Sequence, residues 1–160
     1  MSELSFLQQA LQNANVKAFL LMIRKSEGTD APDGYNYIFG SSPGNTVRFT
    51  DFSQHPDIKV PFRDTFSTAA GAYQILFGTW QHLQQQLALP DFSPGSQDLA
   101  CVELLSEQNC VQRLMDGDFS YALQKAASIW ASLPGNNYGQ PEHSIATVQQ
   151  WYTDAGGTVA

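Results

Sequence analysis

Apolar residues recur at intervals of three and four from Val16 through Phe19, Leu20 and Ile23, the spacing of one face of a helix. The next position on that face is Glu27, so a carboxyl group stands where an apolar side chain is expected. Gly28 follows at once and supplies a left-handed C-cap, which predicts a helix ending at Glu27. A shorter helical lead-in is predicted over residues 3 to 12. Residues 28 to 66 change character, with Gly, Pro, Asp and Ser frequent and aromatic residues alternating with polar ones in Tyr35-Asn36-Tyr37-Ile38-Phe39. That stretch, the turn Ser41-Ser42-Pro43-Gly44-Asn45 and Thr46-Val47-Arg48-Phe49 predict a small hairpin, and the remainder through residue 67 reads as loop.

Helical patterning returns after Gly71. Tyr73 to Leu87 carries apolar positions at Ile75, Leu76, Trp80, Leu83 and Leu87, and Ser93-Pro94 is an N-cap with a first-turn proline for a helix reaching about Gln108. Asp118 caps a helix containing Ala122, Ala126, Ile129 and Trp130, stopped by Leu133-Pro134-Gly135. Pro141 opens a last helix that Gly156-Gly157 ends. The expected architecture is one α+β domain, mostly helical, with one small sheet inserted early, no internal repeat, and a cleft between the hairpin region and a helical lobe.

The chemistry of Glu27 follows from its place. Burial disfavours the charged form, and the negative end of the helix dipole does so again, so both effects push its pKa upward. A glutamic acid protonated near neutral pH donates a proton to a leaving group. The competing reading is a Glu solvated at a frayed helix end.

Eight basic against fifteen acidic residues give a net charge of −7, the wrong sign for a nucleic-acid binder or an anionic-membrane binder. A neutral, locally recognised partner is expected, and a sugar polymer suits this better than a phosphate polymer. The longest apolar run, Ala18 to Ile23, is far too short to insert in a membrane. Met1-Ser2-Glu3-Leu4 lacks the basic and apolar regions of a signal peptide, so delivery by other means is expected if the substrate lies outside the cytoplasm. Cys101 and Cys110 have no metal-binding or redox spacing and read as buried free thiols, with a disulfide between them the minor option. There is no phosphate loop, dinucleotide fingerprint, nucleophile elbow, HExxH or EF-hand loop, which narrows the field of chemistries. His55, His82 and His143 are scattered, and Asp51, His55 and Asp57 read as turn chemistry rather than a metal site.

Several ordered motifs resemble the bacteriophage lambda lysozyme family of lytic transglycosylases. They are Ser26-Glu27-Gly28-Thr29-Asp30, Gly34-Tyr35, Phe49-Thr50-Asp51-Phe52-Ser53 with His55-Pro56, and Ser67-Thr68-Ala69-Ala70-Gly71-Ala72-Tyr73-Gln74. Asp91-Phe92-Ser93-Pro94 with Ser96-Gln97-Asp98 follows, then Ser128 to Gly135, Tyr138-Gly139-Gln140, Glu142-His143 and Ala155 to Val159. The resemblance covers residues 15 to 159 and leaves residues 1–14 as a short N-terminal extension. It implies a lysozyme-like fold, with Glu27 as the catalytic acid, peptidoglycan glycan strands as substrate, and no cofactor and no metal. The bond cleaved would be the β-1,4 link between N-acetylmuramic acid and N-acetylglucosamine, leaving a 1,6-anhydromuramic acid end.

By the same resemblance Tyr73 and Gln74 are expected at the sugar or behind Glu27, with Asn36 and Gln140 also binding substrate. Tyr35, Tyr37, Phe39 and Tyr138 are candidate platforms for sugar faces, each of which also reads as core packing, while Trp80 and Trp130 read as core. Two departures bear on the mechanism. Asn36 replaces an Asp after the Gly-Tyr pair, and an amide cannot serve as base or nucleophile, although Asp30, Asp33 and Asp51 remain candidates for a second carboxylate. Ala72 replaces an Arg before Tyr-Gln, so a charged contact near the sugar is expected to be missing. The alternatives are a hydrolytic muramidase on the same substrate and a non-catalytic peptidoglycan-binding or virion protein with the same fold. A monomer made in the host cytoplasm and acting in the periplasm or wall is expected, with a holin or an immunity protein as indirect partner according to its setting.

Overall fold

The stripe of Val16, Phe19, Leu20 and Ile23 is buried along α2 (Ala14–Glu27), and Glu27 at its end is half-buried. The computed structural model describes residues 2–42, 44, 47–136 and 142–160. Among these residues the chain forms seven α-helices, a 3₁₀ turn and a two-stranded sheet, arranged in two units, Met1–Ser26 with Cys101–Ala160 and Glu27–Ala100.

In the first unit, α1 (Glu3–Ala10) is capped by Ser2 and buries Leu7 and Ala10. Asn13 caps α2 by accepting from the N–H groups of Asn15 and Val16 at 2.9 and 3.3 Å. The core is aromatic: Phe119 lies 6.0 Å from Phe19 and 4.6 Å from Tyr152 between ring centroids. The Asn15 amide braces it, donating to the carbonyls of Leu114 and Met115 at 3.2 Å and accepting from the Thr158 N–H at 2.9 Å. Helix α4 (Pro94–Glu107) starts behind Ser93-Pro94 as the sequence indicates and enters this unit at Cys101. A short α5 (Val111–Met115), too brief to carry a readable period, follows it. Asp118 caps α6 (Phe119–Ala126) through the Tyr121 N–H, but the helix stops before Ile129 and Trp130, and the buried Trp130 sits in a turn. Ser144, not Pro141, caps α7 (Ile145–Asp154), and Pro141 lies outside the described residues. Both cysteines are buried thiols and neither forms a disulfide, and burial pushes the Cys110 thiol up to about 11.

In the second unit the regular sheet is β1 (Val60–Phe62) paired antiparallel with β2 (Thr65–Ser67), with Pro61 opposite Phe66. The sequence reading had this segment as loop, because three-residue strands with a proline and exposed faces carry little alternation. In the segment of the hairpin expected over residues 35 to 49, Tyr37 bridges Arg48 and no named strand forms among the described residues, and Pro43, Asn45 and Thr46 of its turn lie outside them. Side chains take over the ladder there. Residues Gly34–Asn36 wind into a 3₁₀ turn, the Ser41 hydroxyl accepts from the Ile38 N–H at 3.1 Å, and Arg48 donates to Asp33 at 2.9 Å and to the Ser42 carbonyl at 2.9 Å.

Helix α3 (Phe77–Leu87) begins four residues later than Tyr73, where the periodicity places it. Gly71 and Gln74 both take left-handed backbone, at φ 83° and 50°, which turns the chain before any helix can start. This unit packs around Phe92, fully buried, with Trp80, His55 and Phe49 at ring distances of 4.7, 4.8 and 5.8 Å. Among the described residues no helix is long and apolar enough to cross a membrane.

Candidate active site

Glu27 ends α2, and Gly28 at φ 74° redirects the chain. Two residues on, the buried Thr29 hydroxyl donates to the Ala72 carbonyl, so the exit from Glu27 is fastened to the turn that contains Ala72. That turn is closed by reciprocal backbone bonds, Ala70 N–H to the Ile75 carbonyl at 3.2 Å and Ile75 N–H to the Ala70 carbonyl at 3.0 Å. Gly71 donates its N–H to the Tyr37 carbonyl at 2.8 Å, which ties the turn to the residue after the 3₁₀ segment.

Gln97 holds the turn from the other side. Fully buried in the first turn of α4, it accepts from the Ala72 N–H at 2.8 Å and donates to the carbonyls of Phe92 at 2.9 Å and Tyr35 at 3.1 Å. A Cβ at position 71 would overlap the Gln97 side chain, so glycine is needed there for the close approach as well as for its backbone angle. The next residue, Asp98, accepts on one oxygen, Oδ1, from the Tyr73 hydroxyl at 2.6 Å and the Tyr35 hydroxyl at 2.8 Å, and the two rings meet edge to face at 6.3 Å. Gln74 donates its Nε2 to the Gly71 carbonyl at 2.9 Å, so Oε1 is the end that remains to accept from a ligand.

The structure therefore brings Tyr35, Tyr73 and Gln74 into one hydrogen-bonded group that is joined to the Glu27 exit through Thr29. Asn36 turns its amide away, donating to the Phe49 carbonyl at 3.0 Å. The rings of Tyr37 and Tyr73 are 1% and 2% exposed, and the Arg48 guanidinium covers Tyr37 at 3.9 Å, so neither offers a face to a sugar. The half-buried Tyr35 and Phe39 are the aromatic residues of this segment with surface to offer. Tyr138 and Gln140 lie outside the described residues. Thr29, Gln97 and Asp98 are site residues without a sequence signal, since neither a polar residue just past a helix end nor one in the opening of a helix carries a period that marks it as buried.

Three further carboxylates of this unit have structural partners. Arg48 holds the Asp33 carboxyl below the usual range, the Ser53 backbone N–H does the same for Asp51, and hydrogen bonds from Ser93 and Ser96 for Asp91. His55 is engaged at both nitrogens, Nε2–H donating to the Ile75 carbonyl at 2.8 Å and Nδ1 accepting from the Asp57 N–H at 3.0 Å, and burial lowers its pKa. This is the turn chemistry read from the sequence.

A family model for endolysins matches residues 17–159. The chain belongs to the endolysin family. It is 41% identical over 157 residues to the endolysin of Escherichia phage P2, covering 91% of this chain and 95% of that protein. To the endolysin of Escherichia phage lambda it is 40% identical over 154 residues, covering 92% and 94%. The fold is that of lambda lysozyme: the structure of that enzyme complexed with a chitohexasaccharide superposes with a TM-score of 0.85 at 39% identity, covering 92% of this chain and 97% of that one. A further structure of lysozyme from bacteriophage lambda gives a TM-score of 0.82 at 38% identity. The lysozyme-like α+β class and the phage-lysozyme resemblance are thus borne out, and α1 precedes the residues 17–159 that the family model matches.

Proposed function

We propose that this endolysin-family chain degrades peptidoglycan as a lytic transglycosylase, with Glu27 as acid and then base. Glu27 protonates the glycosidic oxygen between N-acetylmuramic acid and N-acetylglucosamine. The muramyl C6 hydroxyl then attacks C1 of the same sugar and gives its proton to the Glu27 carboxylate. No water is consumed, Glu27 is regenerated in its acid form, and each proton transfer is worth roughly a hundred- to ten-thousand-fold in rate.

The observation that carries this reading is the commitment of Asp33 and Asp51, two of the three carboxylates that the sequence offers as a partner for Glu27. Hydrolysis uses a second carboxyl group as base or nucleophile. Asp33, Asp51, Asp91 and Asp98 are bonded to Arg48, Ser53, Ser93 and the paired tyrosines, and Asn36 is an amide facing a carbonyl. An internal nucleophile removes the need for a second carboxylate. The chitohexasaccharide of the lambda lysozyme complex supports a glycan as ligand. Mass spectrometry of digested sacculi tests the chemistry, since anhydro ends are lighter than reducing ends by one water. Glu27→Gln is expected to release nothing above background. Reducing ends from the parent enzyme would refute the transglycosylase step, and near-normal lysis by Glu27→Gln would refute the role of Glu27.

A further inference from the structure

The tyrosine pair at Asp98 sits where no reacting group is required. Tyr35 belongs to the 3₁₀ segment that leads into Asn36 and Tyr37, and Tyr73 belongs to the Gly71–Gln74 turn. The two segments are distant in sequence, and one carboxylate oxygen bridges them through bonds of 2.8 and 2.6 Å. Hydrogen bonds to an ionised acceptor are roughly twice as strong as neutral ones. Tyr73 is buried and Tyr35 half-buried, so both hydroxyls reach Asp98 from packed side chains. Gln97, the neighbour of Asp98 on α4, grips the backbone of the same two segments at Tyr35 and Ala72.

We propose that Asp98 is a positioning residue for the reaction, setting the Gly71–Gln74 turn against the 3₁₀ segment through the hydroxyls of Tyr35 and Tyr73. The proposal rests on the reading of Glu27 given above. Gln97 fixes where the main chain of the turn runs, and Asp98 fixes its tilt, because the bond at the end of the Tyr73 side chain acts with a long lever on Gln74 next to it. Gln74 Oε1 and the Thr29-anchored exit of Glu27 share that turn, so a change of tilt alters their spacing more than it alters either alone. Losses of this kind fall on the chemical step, since a misplacement of about an ångström costs roughly a hundredfold.

The test uses the whole chain with purified sacculi and a soluble glycan oligomer. Asp98→Ala is expected to lower kcat by about ten- to a hundredfold with KM changed less than about threefold, while its far-UV circular dichroism matches the parent. Asp98→Asn is expected to recover most of the rate, because the amide carbonyl still accepts both hydroxyls. In a Tyr35→Phe/Tyr73→Phe background, Asp98→Ala is expected to have no further effect, the mark of a residue that acts only through those hydroxyls. Full activity of Asp98→Ala, a pure KM effect, or additivity in the Phe background would overturn the assignment; where the alanine variant does not fold, the Tyr35→Phe/Tyr73→Phe variant decides it, a fall in kcat supporting the assignment and parent-like kcat overturning it. A parent enzyme that releases no glycan fragments would overturn the proposed function itself, a result distinct from an active parent indifferent to position 98.

Discussion

Replacing Gln97 by methionine keeps the length of the side chain and removes its amide, which isolates three hydrogen bonds at one stroke. The bonds to the Ala72 N–H and the Phe92 carbonyl are buried, and that to the Tyr35 carbonyl is part-buried. A buried backbone group left without a partner costs about 1–3 kcal/mol. Two such groups and a smaller contribution from Tyr35 sum to about 3–6 kcal/mol, against a total of about 5–15 kcal/mol for a domain of this kind. Urea unfolding is expected to show this as a lowered midpoint with little change in slope. Gln97→Glu sharpens the test. Its carboxylate still accepts from Ala72 but faces two carbonyls it cannot donate to, so its folded pKa is raised above the unfolded value of about 4.3. The penalty is therefore present at neutral pH and shrinks as pH falls through the folded pKa, where a protonated oxygen regains one donor. A methionine variant within about 1 kcal/mol of the parent, or a glutamate variant whose deficit is flat with pH, would show that the turn is held by something other than this side chain.

Two further outcomes follow from the same unit. Burial holds the pKa of His55 below the ordinary value of about 6.5, so the unfolded chain takes up a proton first and stability falls as pH drops through about 6.5, with a slope of up to roughly 1.4 kcal/mol per pH unit, while above that pH the group contributes no slope. His55→Gln should flatten that part of the urea-midpoint profile between pH 5 and 7, and an unchanged acid slope would place its origin elsewhere. Asn36→Asp puts a carboxylate against the Phe49 carbonyl in place of a 3.0 Å donated bond. It should cost about 1–3 kcal/mol at neutral pH and still yield anhydro ends by mass spectrometry, whereas a switch to reducing ends would make position 36 a catalytic one.

What the sequence conveyed about the fold followed the length of each pattern. The stripe of α2 runs for three turns and the Ser93-Pro94 start of α4 is a local signal, so both elements were legible. The strands of Val60–Phe62 and Thr65–Ser67 are too short to alternate, and their single proline reads as loop. Tyr73 was placed in a helix because Ile75, Leu76, Trp80, Leu83 and Leu87 keep helical spacing, but Ile75 is buried as the closing residue of a turn, where it pairs with Ala70. An apolar residue before a helix keeps the helix's period without sharing its backbone.

The site divides along the same line. Glu27 was visible because a carboxyl interrupts a long apolar stripe, a contrast that needs no partner to be seen. Apart from the bond of Gln97 to Phe92, Thr29, Gln97 and Asp98 owe their importance to bonds that span between 25 and 63 positions, as from Gln97 to Ala72 and from Asp98 to Tyr35, and no local period encodes such a pairing. All of them end on the Gly71–Gln74 turn or on the segment that braces it. Because Gln97 both satisfies buried backbone groups and sets the path of the turn, its loss should lower stability and rate together. Asp98, half-buried and acting at the tips of two side chains, should lower rate with little loss of fold. The contrast between adjacent residues on one helix turn separates support of the unit from alignment of its chemistry: a Gln97 variant that loses only rate, or an Asp98 variant that loses only stability, would reverse the division.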